Sequence, residues 1–133
     1  MSLSATWTSL PASGGTAPCP RSSHAISCVG STVYVMGGEH VARTPIDSVV
    51  HVIDVAGGEW RAATAGDDGT APSARIAPTL AVVGESIYVF GGRMGIDMDE
   101  GALGDLHRFD TAAGTWSLLE SESAPEPREL ISW

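Results

Sequence analysis

The side chains best suited to binding a charged ligand are arginines that lie near two Gly-Gly doublets. Arg93 directly follows the second doublet, whereas Glu39 takes the same place after the first. The two doublets belong to two copies of a repeat, and a residue that the fold of the repeat requires should recur in both copies. A position that changes from an anionic to a cationic side chain is therefore determined by the surroundings of its own loop. Because a guanidinium forms paired hydrogen bonds with anions, Arg93 is the better candidate of the two for contacting an anionic ligand. A solvated loop charge is nevertheless the favoured interpretation of this residue. Glu39 and Arg21 are further candidate ligand contacts.

Three arginines recur at equivalent places in the chain. Arg21, Arg75 and Arg128 each lie one to three residues after a proline. We predict that they are mainly structural and bond backbone carbonyls or a neighbouring carboxylate.

The remaining polar residues match no catalytic or metal-binding pattern. Residues 97–101 (Asp-Met-Asp-Glu-Gly) alternate carboxylates as a calcium loop does, but the bidentate Glu at the twelfth position is missing, so a solvated acidic loop is predicted. Residues 22–24 (Ser-Ser-His) have no orienting acid nearby in sequence, which gives no support to a hydrolase triad. Cys28 is expected to be a buried free thiol in an apolar strand, and neither it nor Cys19 is assigned a disulfide or a metal. We predict no catalytic residue and no metal site.

Charge and hydropathy exclude two classes of partner. The 133-residue chain has a net charge of -9, so we expect no nucleic-acid binding, which depends on clustered cations. No apolar run approaches the roughly 18 residues that a membrane span needs. The first residues lack a basic segment followed by a continuous apolar one, so no signal peptide is predicted and a cytoplasmic location is expected.

The elements that position these residues form a tandem repeat with a spacing of 54 residues between its doublets. Each copy carries a glycine doublet after an apolar strand, then an Asp and a Trp. These recurring residues, to which we assign structural roles, are Gly37, Gly38, Asp54 and Trp60 in the first copy and Gly91, Gly92, Asp110 and Trp116 in the second. We expect the doublets to let the chain turn where a Cβ would collide with a neighbouring copy of the repeat, and the tryptophans to pack between copies.

Period-two patterns predict four short strands in each copy and no helix. The predicted strands are His24–Val29, Thr32–Met36, Val49–Val55 and Glu59–Ala63, followed by Ile76–Val83, Ser86–Phe90, Leu106–Asp110 and Thr115–Leu119.

A period near 50 residues with a glycine doublet, a later Asp and a Trp resembles the kelch-repeat family over nearly the whole chain. The resemblance implies an all-β fold of kelch-type β-propeller blades. We expect two complete four-stranded blades, at residues 18–64 and 71–121, with an outer strand and linker of a preceding blade at 1–17 and a first strand of a following blade at 125–133. A closed propeller needs at least four blades, so one chain alone cannot close a ring.

Whole segments also resemble the amino-terminal blades of the plant specifier proteins, which include the nitrile-specifier, epithiospecifier and thiocyanate-forming proteins, and of related microbial kelch proteins. The segments that carry this resemblance are Pro20-Arg21-Ser22-Ser23-His24, Val35-Met36-Gly37-Gly38-Glu39, Ile87-Tyr88-Val89-Phe90-Gly91-Gly92-Arg93 and Pro125-Glu126-Pro127-Arg128.

The specifier family redirects glucosinolate aglucone breakdown with ferrous iron, held by a Glu, an Asp and a His that are each four residues apart in a later blade. The nearest spacing match here is Arg43, Asp47 and His51, in which the Glu position is occupied by Arg. The resemblance therefore implies no cofactor in this chain, and ferrous iron only if further blades supply its ligands. It also implies that Arg93 lies at the mouth of the pocket and pairs with the sulfate of a substrate.

Three hypotheses follow. The leading one is a non-catalytic kelch interaction module, or a fragment of a propeller, that binds a protein partner through its loops. The second is a fragment of a specifier-like, iron-dependent protein that directs aglucones to nitriles, epithionitriles or thiocyanates. The third is an oligomer in which two-blade chains close a ring, for example a trimer with six blades.

Overall fold

The structure, a computed structural model, describes residues 1–9, 16–63, 68–95, 101–120 and 122–123. These residues contain eight β-strands and no helix. The strands are β1 (Ala25–Val29), β2 (Thr32–Met36), β3 (Val50–Asp54), β4 (Trp60–Ala63), β5 (Thr79–Val83), β6 (Ser86–Phe90), β7 (Leu106–Asp110) and β8 (Thr115–Leu119). Within the described ranges, no helix is long and apolar enough to span a membrane.

The strands form two separate antiparallel sheets, in which each strand pairs with the next one along the chain. Their orders are β1-β2-β3-β4, called blade one, and β5-β6-β7-β8, called blade two. The prediction of an all-β chain with two complete four-stranded blades and no closed ring is therefore confirmed.

Four of the eight strands, β2, β6, β7 and β8, have the predicted bounds. The tight hairpins β1-β2 and β5-β6 turn at Gly30 and Gly84, which both have a φ of 60°. Glycine adopts such a left-handed conformation without the steric cost that a Cβ brings.

Four strands begin later than predicted: β3 and β4 by one residue each, and β1 and β5 where left-handed residues precede the strand. The strand predicted from Ile76 begins only at Thr79, since Ala77 has a φ of 52° and Pro78 has no N–H to donate to a neighbouring strand. In the first copy Ser23 has a φ of 54°, so β1 begins at Ala25 rather than at His24.

The hydrophobic core lies between the two sheets. It joins residues of blade one to residues of blade two, namely Tyr34, Met36, Val50 and Val52 with Ile87, Val89, Phe109 and Trp116. Phe109 lies at its centre, with ring centroids 6.1 Å from Tyr34 and 5.0 Å from Trp116. Burial of these aromatic and branched side chains is the main force holding one blade on the other.

The two repeat tryptophans have different surroundings. Trp116 is only 8% exposed, because it packs against blade one. Trp60 is half-buried, because it lies on the opposite face of blade one, away from blade two. The expected burial of Cys28 is wrong: Cys28 is exposed, since it points to that same outer face.

The glycine doublets lie where segments of the chain approach each other too closely for a side chain. A Cβ on Gly37 would lie 2.8 Å from the carbonyl oxygen of Arg75, which belongs to the segment entering blade two. A Cβ on Gly38 would lie 2.7 Å from the oxygen of Ser22. The Gly38 N–H also donates to the Arg75 oxygen at 2.9 Å. The first doublet is therefore a joint between the blades as well as a turn.

The predicted flanking strands have no counterpart in the described residues. Residues 1–9 form no strand, and Trp7 within them is 96% exposed. The strand predicted at 125–133 lies outside the described residues, as do Arg128 and most of the acidic segment 97–101.

We expect Gly37→Ala to destabilise the chain more than Gly114→Ala, although the two glycines have similar φ values of 72° and 69°. Each substitution forces a left-handed alanine, at about 1 kcal/mol. Only the Gly37 Cβ meets backbone, since nothing lies within 4 Å of the Gly114 Cβ. The collision should add about 1–3 kcal/mol. Urea unfolding would measure the difference, and equal losses would show that the joint does not exclude a Cβ.

Candidate functional site

The candidate residues collect at one end of the two sheets. Because the strands are antiparallel, the end of β2, the start of β1 and the start of β3 lie together, and the same holds for β6, β5 and β7 in blade two. The doublets lie here, so we call it the doublet end. It also carries the segments 16–24 and 70–78 that enter each blade and the loops 39–49 and 93–105 that follow the doublets.

Arg75 organises the doublet end of blade two. Its side chain is 3% exposed and forms a two-point ion pair with Asp105, with N–O distances of 2.7 and 2.9 Å. The same guanidinium donates to the carbonyl oxygens of Gly91 and Ser73, at 3.0 and 3.1 Å. One planar cation thus ties the entering segment, the doublet and the start of β7 together.

Arg21 makes the same arrangement in blade one. It donates to Asp47 at 3.0 and 3.4 Å and to the carbonyl oxygens of Gly37 and Cys19, both at 3.2 Å. Its side chain is only 4% exposed. Arg21 was a candidate ligand contact, but its guanidinium faces these internal acceptors rather than an open surface.

A histidine completes each arrangement. His107 places Nε2 2.6 Å from an Asp105 carboxylate oxygen and Nδ1 2.7 Å from the Thr70 carbonyl oxygen. His51 places Nε2 3.3 Å from Asp47, but its buried Nδ1 has no hydrogen-bond partner among the residues described. Blade two is therefore the more fully bonded copy.

These contacts change how the two aspartates titrate. Partial burial acts to raise the pKa of Asp105, but hydrogen bonds from Arg75 and His107 outweigh it and lower the pKa from 3.8 to about 2. For Asp47 burial also opposes the shift, and hydrogen bonds from Arg21 and His51 bring its pKa below the usual value. Both carboxylates stay ionised at neutral pH.

Glu39 and Arg93 occupy equivalent backbone positions in the two loops. The backbone of Glu39 forms isolated antiparallel β-bridges with Ser22 and with Pro45, and the backbone of Arg93 forms them with Ile76 and with Ala102. The Glu39 carboxylate accepts a hydrogen bond from the backbone N–H of Arg43 and so braces its own loop. The Arg93 side chain is half-buried at the doublet end of blade two.

Asp54 and Asp110 brace turns at the other end of the sheets. Asp54 accepts from the Ala56 N–H at 2.8 Å, and Asp110 accepts from the N–H groups of Ala112 and Ala113, both at 3.0 Å. Their side chains therefore stabilise the β3-β4 and β7-β8 hairpins.

An open groove of about 290 Å³ runs beside the doublet end of blade one. Its lining is mostly apolar and consists of Cys19, His40, Val41, Thr44, Pro45 and Ile46. Val41 is 66% exposed at its edge. The His40 Nδ1 lies 3.0 Å from the carbonyl oxygen of Pro20, which anchors the loop to the entering segment.

Sequence reasoning missed the aspartates that pair with the repeated arginines. Asp47 lies 26 residues after Arg21, whereas Asp105 lies 30 residues after Arg75. The loops after the doublets differ in length, so a comparison at a fixed spacing of 54 residues does not align the two carboxylates. The signal that could have found them is the Asp that precedes a His at the start of β3 and of β7.

The residues present do not fit the ferrous iron of the specifier family. Asp47 and His51 are close together, but the Arg21 guanidinium contacts both, at 3.0 and 3.4 Å. A cation in that place repels a metal ion, and Arg43 offers no carboxylate. No group of three or more His, Cys, Asp or Glu side chains within the described part of the chain could hold a metal ion.

Two four-stranded sheets stacked face to face, each with a glycine doublet at its end, are blades of a kelch-type β-propeller. A family model for the KLHDC2/KLHL20/DRC7 Kelch-repeats domain matches residues 2–133. The chain belongs to the kelch-repeat family.

Curated relatives agree with this assignment. The N-(sulfonatooxy)prop-2-enimidothioate sulfolyase of Thlaspi arvense is 33% identical over 134 residues, which cover 98% of this chain and 37% of that protein. Kelch domain-containing protein 3 of Bos taurus is 30% identical over 130 residues, or 92% of this chain and 33% of that protein. The resemblance to kelch repeats and to plant specifier-like proteins is thereby confirmed.

A solved structure supports the fold. The structure of YjhT superposes with a TM-score of 0.62 at 25% identity, over 84% of this chain and 30% of that one. The chain spans about a third of the length of the relatives it matches.

The stability contributed by Asp105 should disappear in acid. Because its folded pKa of about 2 lies below the unfolded value of 3.8, the carboxylate stabilises the fold above about pH 4, and this contribution is lost as the pH falls towards 2. After discounting for screening of a side chain that is 34% exposed, we expect about 1–2 kcal/mol.

Urea unfolding of the wild type and of Asp105→Asn at pH 6 and pH 2 would test this prediction. The difference between the two proteins should shrink at pH 2, while Glu59→Gln, which changes an exposed carboxylate, should show no such trend. A difference that stays constant with pH would contradict the assigned ion pair.

Proposed function

We propose that this chain is a kelch interaction module that binds a protein partner at its doublet end. The observation that carries the proposal is the open apolar groove beside blade one, lined by residues from the entering segment and from the loop after the first doublet. Exposed apolar surface in a concave site favours a partner's apolar side chain, because burial removes that surface from water.

The groove is built on a braced loop, which favours binding. The Ile46 N–H donates to the Gly38 oxygen at 3.0 Å, and the Thr44 N–H donates to the Val41 oxygen at 3.1 Å. The carboxylate of Glu39 holds the N–H of Arg43, whose φ is 61°. A loop held in one conformation loses little entropy on binding, so more of the contact energy appears as affinity.

The polar side chains of the doublet end contribute to this proposal mainly as scaffold. Arg21 and Asp47 hold the two ends of the loop to the sheet, since Arg21 bonds the Gly37 oxygen and Asp47 accepts from the Val49 N–H at 3.1 Å. The proposed role is binding without turnover, with specificity set by the shape of the groove and by the loop that borders it.

A peptide selection would test the groove. Random peptides displayed on phage would be selected on the wild-type chain, and the affinities of enriched peptides would then be measured for Val41→Asp and Val55→Asp. Val41 borders the groove, whereas Val55 is 44% exposed beyond the end of β3 and serves as the matched control. We expect Val41→Asp to weaken binding at least tenfold and Val55→Asp to leave it unchanged. Failure to enrich peptides, or enrichment of peptides insensitive to Val41→Asp, would contradict the proposal.

A second function is favoured by the 33% identity to the Thlaspi arvense sulfolyase, whose name denotes a sulfonatooxy group. Under this proposal the chain is part of a longer specifier-like protein, with ferrous iron ligands supplied by further blades. Arg93 would contribute a guanidinium that pairs with the sulfate ester of the substrate. Its place after the second doublet, at the doublet end, supports this role.

Titration with inorganic sulfate, followed by amide chemical shifts, would test the role of Arg93. We expect shifts that map to the doublet end of blade two in the wild type and that weaken at least fivefold in Arg93→Ala. Arg61→Ala, which removes an exposed arginine from β4, is the matched control and should bind as the wild type does. Equal affinities for the wild type and Arg93→Ala would remove Arg93 from the site.

A further inference from the structure

The contact between the two blades defines two different sheet faces. In blade one, the front face is the side of the sheet that packs on blade two, and it includes Tyr34 and Val52. In blade two, the back face is the side of the sheet that packs on blade one, and it includes Phe109 and Trp116. Since the blades are repeats, blade two also has a front face and blade one also has a back face.

The front face of blade two has no sheet against it in the described part of the chain. Tyr88 and Arg108, which take the places of Tyr34 and Val52, are partly exposed, whereas Val52 is 0% exposed. On the same face Val83 is 66% exposed and Leu119 is 39% exposed. This face carries apolar and polar side chains in about equal number, and Arg108 near its centre donates to Ser86 at 2.8 Å and lies 3.8 Å from the Asp110 carboxylate.

The back face of blade one is open in a matching way. Ile26 is 60% exposed, although its counterpart Leu80 packs against the core between the blades. Trp60 is half-buried, whereas its counterpart Trp116 is 8% exposed. The side chains that make the contact within the chain thus have equivalents on both outer faces.

His51 gives a second and independent indication that a neighbour is missing from the back face. Its side chain is 10% exposed, and its Nδ1 is buried without a hydrogen-bond partner among the described residues. The counterpart His107 bonds the Thr70 oxygen, in an entering segment that includes the buried Pro72. Pro72 lines the seam between the blades, so the presence of blade one holds that segment in place.

The same three residues, Thr-Ala-Pro, enter blade one at positions 16–18, where Thr16 is exposed. The Thr16 N–H already donates to the Trp60 oxygen at 3.3 Å, and a blade packed on the back face would press this segment so that the Thr16 oxygen could reach the open Nδ1 of His51. The surface that would press it is the front face of another blade.

We propose that a second copy of this chain supplies that surface, so that the front face of blade two in one copy packs on the back face of blade one in the next. The contact repeats the one already present within each chain. Arg108, the counterpart of Val52, would then face the surface that carries Trp60, the counterpart of Trp116, and a guanidinium over an indole ring is a favourable cation–π contact. The interface is head to tail, so the copies form a closed ring or an open chain.

Two exposed positions allow each face to be blocked without disturbing the fold. Ile26→Asp places a charge on the back face of blade one, and Leu119→Asp places one on the front face of blade two. Val55→Asp, at an exposed site beyond β3, is the matched control. Urea unfolding of each variant would establish that it is folded.

Light scattering coupled to gel filtration would then measure the mass of each protein. We expect the wild type and Val55→Asp to form species of at least twice the 13.7 kDa chain mass, and each blocked variant alone to be a monomer. An equimolar mixture of the two blocked variants should form a dimer of twice 13.7 kDa and no larger species, because one intact front face meets one intact back face. The His51 ring resonances should shift in that dimer only in the partner that carries Leu119→Asp, whose back face is covered.

Three results would overturn the proposal. The first is a wild-type chain that remains a 13.7 kDa monomer up to millimolar concentration. The second is association of both blocked variants as in the wild type, and the third is a mixture of the two that stays monomeric. None of these results bears on the groove beside blade one, because Val41 lies on neither face.

Discussion

At the joint between the two blades, one residue, Arg75, bonds to both of them. The backbone carbonyl of Arg75 accepts a hydrogen bond from Gly38 of blade one, while its guanidinium binds Asp105 and the Gly91 carbonyl of blade two. Gly37 must lack a side chain because that carbonyl approaches so closely. The charge of Arg75 is satisfied by an ionised carboxylate, so an almost fully buried cation is tolerated at the joint. Removing Asp105 would leave the buried guanidinium without its counterion, and removing Arg75 would break the bonds that hold the entering segment to the doublet, so the arginine, the aspartate and the doublet depend on one another.

The doublet end combines a rigid scaffold with two different loops. The arrangement of arginine, aspartate and histidine is nearly the same in both blades, whereas Glu39 turns its carboxylate into its own loop and Arg93 takes the equivalent place in blade two. The repeated residues hold the ends of each loop, and the loops are therefore able to differ in sequence and length without loss of the sheet. The apolar groove of blade one and the cation of blade two are two such differences, and they underlie the two proposed functions.

The sequence predicted the sheets well, because short runs of branched and aromatic residues between glycine turns determine a strand locally. Four strand bounds and the no-helix prediction follow from that pattern. The late start of β5 could not be predicted, since the residue type of Ala77, whose N–H donates to the Ser23 oxygen of the other blade, gives no signal for a left-handed conformation. The exposure of Cys28 depends on which face of a blade is covered, and the pairs Arg21–Asp47 and Arg75–Asp105 span loops of unequal length. Each of these features is decided by contacts between distant segments.

The far end of the sheets has none of the close approaches that fix the doublet end. The hairpin glycines Gly30, Gly84 and Gly114 have open space where a Cβ would lie. Turns in such surroundings accept added residues, since neither a buried bond nor a neighbouring blade is displaced. Insertion of a reporter peptide into the β1-β2, β5-β6 or β7-β8 hairpin would therefore leave the joint between the blades and the bonded arginines in place. A label carried there would report on the doublet end without altering it.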